Sequence, residues 1–132
     1  MCNAGNLLGK DVKLDRERTV ERLLPLRPVE FHILLSLAAG ERHGYGIIRD
    51  AEKRIGTRVP DVGTMYRALR RMEDRGLIGP LDRRPAPDVD DDRRNYYQIT
   101  PRGLEVARAE ARRLESLLHE ARIGGLLEER TA

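Results

Sequence analysis

Five residues within one short stretch could act together on a partner: Gly63, Thr64, Tyr66, Arg67 and Arg70. A guanidinium can grip phosphate oxygens or a guanine edge through two parallel hydrogen bonds, which a lysine ammonium cannot copy. A glycine and a threonine ahead of two arginines leave room for close approach, then supply cations. That is the order expected at the front of a helix entering a DNA groove. A solvated amphipathic helix has the same local pattern, so the surrounding elements decide between the two.

The stretch that must position these groups runs from Asp61 to Ile78. Asp61 can cap the first turn, because its carboxylate can accept from the free amides there. Gly76 suits the stop, where a left-handed residue is wanted. Met65, Ala68, Leu69 and Met72 recur at helical spacing and predict a buried stripe. Gly63, Arg67, Arg70, Arg71 and Asp74 fall near the opposite side, with Thr64 and Tyr66 on the flanks.

Upstream, Met1–Lys13 reads as a leader with little pattern, and Leu14–Leu24 as an extra N-terminal helix that needs packing to be stable. Pro28 suits the first turn of a helix. Val29–Ala39 is apolar nearly all round and predicts a core helix buried on most sides. Gly40–Gly46 reads as a turn, in which the glycines around Tyr45 imply positive φ or close packing. Ile47–Ile55 is a second helix with Ile47, Ile48, Ala51 and Ile55 on one side, ended by Gly56. Residues 57–60 are a short connector. Two helices so closely joined, the later one basic, make a helix-turn-helix.

After Gly76 the period changes. Leu77, Ile78 and Leu81 predict a short strand, and Pro80 makes it an edge strand or stands at the strand's end. Residues 82–92 read as a turn-rich loop. Arg93–Thr100 predicts a second strand, and the pair forms a hairpin, the wing of a winged helix. Thr100-Pro101 is a strong helix start. Leu104, Ala107, Ala111, Leu114, Leu117 and Leu118 then form a narrow apolar seam. It is expected to pack on the same helix of a second chain; folding back on its own domain is the alternative. Gly124-Gly125 ends that helix. The expected fold is mainly α with a small β-hairpin: a winged helix-turn-helix plus a long C-terminal dimerisation helix. The parts are 1–25 (leader and N-terminal helix), 26–100 (DNA-binding domain) and 101–132 (dimerisation helix and tail).

The 132 residues suit one domain of ordinary size. Charged residues make up 36% of the chain against a net charge of +3, and the only lysines are Lys10, Lys13 and Lys53. One cysteine, Cys2, excludes an internal disulfide framework and a cysteine-based zinc site. No apolar run approaches the ~20 residues needed to span a bilayer, and the N-terminus lacks a signal core. No membrane partner is expected, and a cytoplasmic location is. His32, His43 and His119 have no metal or catalytic spacing, so no cofactor, no metal and no enzymatic activity are expected. The aromatics are scattered and mark no ligand cage.

Leu26-Arg27-Pro28, His43-Gly44-Tyr45-Gly46-Ile47, Gly63-Thr64-Met65-Tyr66-Arg67-Ala68-Leu69, Arg75-Gly76-Leu77-Ile78 and Tyr96-Tyr97-Gln98-Ile99-Thr100-Pro101-Arg102-Gly103 together resemble the PadR family of bacterial transcriptional regulators. The resemblance covers roughly residues 26–120. It implies a homodimeric winged-helix repressor that binds double-stranded operator DNA and responds to a small-molecule effector. It places Thr64, Tyr66 and Arg67, joined by Arg70, on the DNA-facing helix, and Arg93, Arg94 and Asn95 on the wing beside the backbone. The single helix after the wing resembles the short-tailed branch. Arg67 departs from the proline common at that position, which adds a cation. The acidic wing tip, Asp82, Asp88, Asp90, Asp91 and Asp92, favours Arg93 and Arg94 over Arg83 and Arg84 as phosphate contacts. A winged helix used for protein contact is the rival class.

Overall fold

The computed structural model describes residues 20–56, 61–81 and 96–128. In chain order the elements are α1 (Pro28–Ala38), β1 (Arg42–His43), α2 (Gly44–Ile55), α3 (Val62–Asp74), β2 (Ile78–Pro80), β3 (Tyr96–Ile99) and α4 (Pro101–Ile123). The described residues fall into two compact units, one within residues 26–107 and one of residues 20–25 with 108–128. Of the expected N-terminal helix, residues 20–22 are helical and the part before residue 20 lies outside the described residues.

In the unit 26–107, α1 packs against α2, α3 and β3. The core is Ile33, Leu34, Leu37, Ile47, Ile48, Ala51, Met65, Ala68, Leu69, Met72, Leu77, Ile78 and Val106, all buried. Burying each of the larger side chains is worth about 1.5–3 kcal/mol, so this shared interior sets the helix positions. The sequence expectation for α1 needs correction. Phe31 is only half-buried and Leu35 is exposed, whereas Glu30 and Ser36 are buried. Near-continuous apolarity did not show which flank faced inward. On α2, Ile47, Ile48 and Ala51 are buried as expected but Ile55, in the last turn, is exposed.

The segment 40–46 is not simply a turn. Arg42 and His43 form β1, which pairs antiparallel with β3 (Arg42 opposite Tyr97, His43 opposite Tyr96), and α2 begins at Gly44. The His43 imidazole caps α2, its Nδ1 accepting from the Gly46 amide at 2.9 Å. Gly44 and Gly46 are ordinary helical residues. Of the two roles expected for them, close packing holds at Gly44: a Cβ there would meet Tyr66 Cε1 at 3.0 Å, where α2 crosses α3.

β2 pairs antiparallel with β3 in the register Ile78 to Ile99, Gly79 to Gln98 and Pro80 to Tyr97. The sheet order β1-β3-β2 leaves Pro80 on an edge strand, where a missing donor costs little. α3 ends as its sequence predicts. Gly76 has φ 74°, its amide donates to Glu73 O, and the Leu77 amide donates to Met72 O, which is the Schellman closure. Thr100 starts α4, its Oγ1 accepting from the Gly103 amide at 3.0 Å and donating to Gly76 O at 2.6 Å. The second strand and the helix after it are thus tied back to the end of α3.

Arg54 joins α1 to α2. It donates to Asp50 Oδ2 (2.6 Å), His32 Nδ1 (3.2 Å), His32 O (2.7 Å) and Ser36 Oγ (2.7 Å). Burial, then the nearby Arg54 charge, hold the His32 imidazole below its ordinary pKa of 6.5. His32 therefore takes up a proton less readily in the folded chain than in the unfolded one. At this site the unfolded chain binds more protons near pH 6, so the His32 contribution to stability is present above about 6.5 and is lost as the medium acidifies. Urea midpoints taken from about pH 8 to about pH 5 should decline, and His32→Gln, which does not titrate, should flatten that decline.

Candidate nucleic-acid interface

The local sequence dictates the front of α3. Asp61 has extended backbone (φ −136°, ψ 102°), and its Oδ1 accepts from the Gly63 amide at 2.9 Å. Its Oδ2 accepts from the Thr64 hydroxyl at 2.6 Å and from Arg67 Nη2 at 3.3 Å. Arg67 Nη2 also donates to Thr64 Oγ1 at 3.1 Å. The hydrogen bond from Thr64, reinforced by the backbone amides and Arg67, holds the Asp61 carboxyl below the usual carboxylate range. The guanidinium lies back across Gly63: a Cβ there would stand 3.2 Å from Arg67 Nη1 and 3.1 Å from Asp61 Oδ1. Gly63 therefore makes room for this network, a role its sequence position did not reveal.

The network is on the surface. The Arg67 and Asp61 side chains are 69% and 60% exposed, so their ion pair is worth little and can be exchanged for another anion. Arg70 is exposed one turn further on. Tyr66 is exposed but lies against Gly44, so it braces the α2–α3 crossing while keeping an open edge. Beneath them, Met65, Ala68, Leu69 and Met72 are buried, as the spacing predicts. Arg71 does not belong to this exposed set. Its Nε donates to the buried carboxylate of Glu30 at 3.1 Å. Val62, missed by the sequence reading, is 48% exposed at the first position of the helix. Its only signal was an apolar residue lying off the buried stripe.

Arg93, Arg94 and Asn95, and the acidic tip from Asp82 to Asp92, lie outside the described residues. The aromatics are less scattered than the sequence suggests. His43 stands edge-on to Tyr96 (centroids 5.4 Å apart) and stacks with Tyr45 (6.4 Å), while Arg49 lies 5.6 Å from the Tyr45 ring centre. Pairing of β1 with β3 assembles this group, which joins the start of α2 to the sheet.

On α4, Gly103 and Val106 are buried, Leu104, Ala107 and Leu114 are half-buried, and Ala111, Leu117 and Leu118 are exposed. Further along, the helix closes on Gly125 at φ 78°, with the Leu126 amide donating to Ala121 O. Glu110 is buried and accepts from Arg113. No helix among the described residues is long and apolar enough to cross a membrane.

Residues 33–109 match the family model described as "Transcriptional regulator PadR-like family". Among solved structures, the chain is similar to a transcriptional regulator from Clostridium thermocellum, with 27% identity, a TM-score of 0.59, and coverage of 76% of this chain and 90% of that one. RosR of H. salinarum gives 26% identity and a TM-score of 0.57 over 74% and 79% of the two chains. A PadR family transcription regulator from Clostridium difficile shares the fold at 24% identity, with a TM-score of 0.60 over 75% and 98%. No curated protein matches the sequence.

Proposed function

The chain belongs to the PadR-like family of transcriptional regulators, and from that premise we propose that it is a cytoplasmic, homodimeric repressor whose α3 helices enter successive major grooves of operator DNA. One observation carries the reading. α3 buries Met65, Ala68, Leu69 and Met72 against the rest of the helix-turn-helix and keeps Thr64, Arg67 and Arg70 on the open side. Arg67, Arg70 and the wing arginines Arg93 and Arg94 contact phosphates, which fixes register and supplies most of the affinity. Thr64 and Arg67, nearest the helix front, face base edges.

Two such helices reach one duplex about one helical turn apart only if the subunits pair. Leu117 and Leu118, 53% and 46% exposed on a regular helix, support α4 as the pairing surface, with Leu104, Ala107, Ala111 and Leu114 along the same seam. Release by a small molecule completes the proposal. Such an effector must bind the DNA-competent and incompetent dimers unequally.

Titration of the protein on its own upstream DNA tests the reading. Binding should be tight at low salt and fall steeply as salt rises. Arg67→Ala should cost about 1–3 kcal/mol and relax selectivity at one position. Unchanged affinity with unchanged mismatch tolerance would remove Arg67 from the interface. A chain that stays monomeric at micromolar concentration would remove the dimer.

A further inference from the structure

The front of α3 has less hydrogen-bonding capacity than its residue types suggest. Thr64 owns one hydroxyl hydrogen and two lone pairs. The hydrogen goes to Asp61 Oδ2, and one lone pair accepts from Arg67 Nη2. Asp61 is equally committed: its Oδ1 serves the Gly63 amide and its Oδ2 serves both Thr64 and Arg67. It has little left with which to accept from a cytosine amino group. Thr64 can therefore offer a groove one lone pair and its γ-methyl. At the first helical position stands Val62, exposed and wholly apolar. A valine there is a poor contact for phosphate and a good one for a methyl group.

We propose that α3 reads the 5-methyl groups of thymine, using the Val62 and Thr64 methyls, with Asp61 as the positioning residue that fixes the Thr64 rotamer by accepting its hydroxyl hydrogen. The major groove presents that methyl only at thymine, and apolar side chains distinguish it there. The inference rests on the reading of α3 as the groove helix and adds which feature of the base is recognised.

Binding sites selected from a random duplex pool by the purified full chain supply the probe. Each thymine in the selected site is then replaced by deoxyuridine, which keeps the base pair and removes only the methyl. Two thymines per half-site should each lose about fourfold in affinity, the value of one buried methyl-sized group. Val62→Ala should erase the response at one of them and Thr64→Ser at the other. Thr64→Val, which keeps a methyl and loses the hydroxyl, should retain a response to deoxyuridine. A selected site indifferent to deoxyuridine overturns the inference and leaves operator binding standing. So does a response kept by Thr64→Ser and lost by Thr64→Val. A pool that yields no preferred sequence overturns both readings.

Discussion

Replacing Gly103 with alanine is expected to cost more than about 4 kcal/mol, enough to unfold a domain of ordinary stability. A Cβ at this position would stand 2.0 Å from Leu77 O, 3.0 Å from Leu77 C and 2.9 Å from Ile99 Cγ1. Two of these are backbone atoms at the junction of α3 and β2, so no side-chain rotation relieves the contact. The neighbourhood cannot yield cheaply either. Leu77 O accepts from the Thr100 amide at 3.1 Å, and Thr100 Oγ1 holds both Gly76 O and the Gly103 amide. Moving α4 outward breaks the α4 cap and the link to the end of α3 together, and draws Val106 from the core. Urea unfolding followed by far-ultraviolet circular dichroism measures the effect. Gly79→Ala is the control: its Cβ would find only Thr100 Cγ2, at 3.9 Å, so a loss of similar size there would show that the damage is not local to the Gly103 contact.

What the sequence could disclose about this fold follows the range of the interactions involved. The Asp61 cap, the Met65–Met72 stripe, the Gly76 closure and the Thr100-Pro101 start depend on residues within about one or two helical turns, so spacing alone reveals them. β1 was invisible because two residues have no period; it exists only because β3, more than fifty positions later, offers it an edge. The same pairing brings His43, Tyr45 and Tyr96 together. At the candidate interface, residue types identified a cationic helix front. They could not show that Arg67 folds back over Gly63 onto Asp61, or that the Thr64 hydroxyl is already engaged. Side-chain networks on one turn depend on rotamers that a linear pattern does not encode. Family motifs pointed to α3 as the candidate groove helix; its hydrogen bonds limit what its side chains can offer a partner.

Arg71 separates stability from DNA binding. By spacing it lies among the arginines proposed to face the groove, yet it donates to Glu30, whose side chain is only 3% exposed. Glu30 Oε1 accepts from the Arg27 amide at 2.9 Å, which closes the first turn of α1, and Oε2 takes Arg71 at 3.1 Å and Arg75 at 3.4 Å. These contacts bridge 41 and 45 positions of sequence and lock α3 to the start of α1. Arg71→Ala leaves a buried carboxylate with the longer of its two cation contacts, so the expected loss is about 3 kcal/mol. Replacing both partners, Glu30→Met with Arg71→Met, removes the stranded charge and should recover most of that stability. The folded Arg71→Ala protein should still bind DNA within a few-fold of the parent, whereas Arg67→Ala should weaken binding and leave the urea midpoint unchanged. If Arg71→Ala weakened binding as much as Arg67→Ala without lowering the midpoint, Arg71 would belong to the interface. The orientation of α3 drawn from its ion pairs would then be wrong.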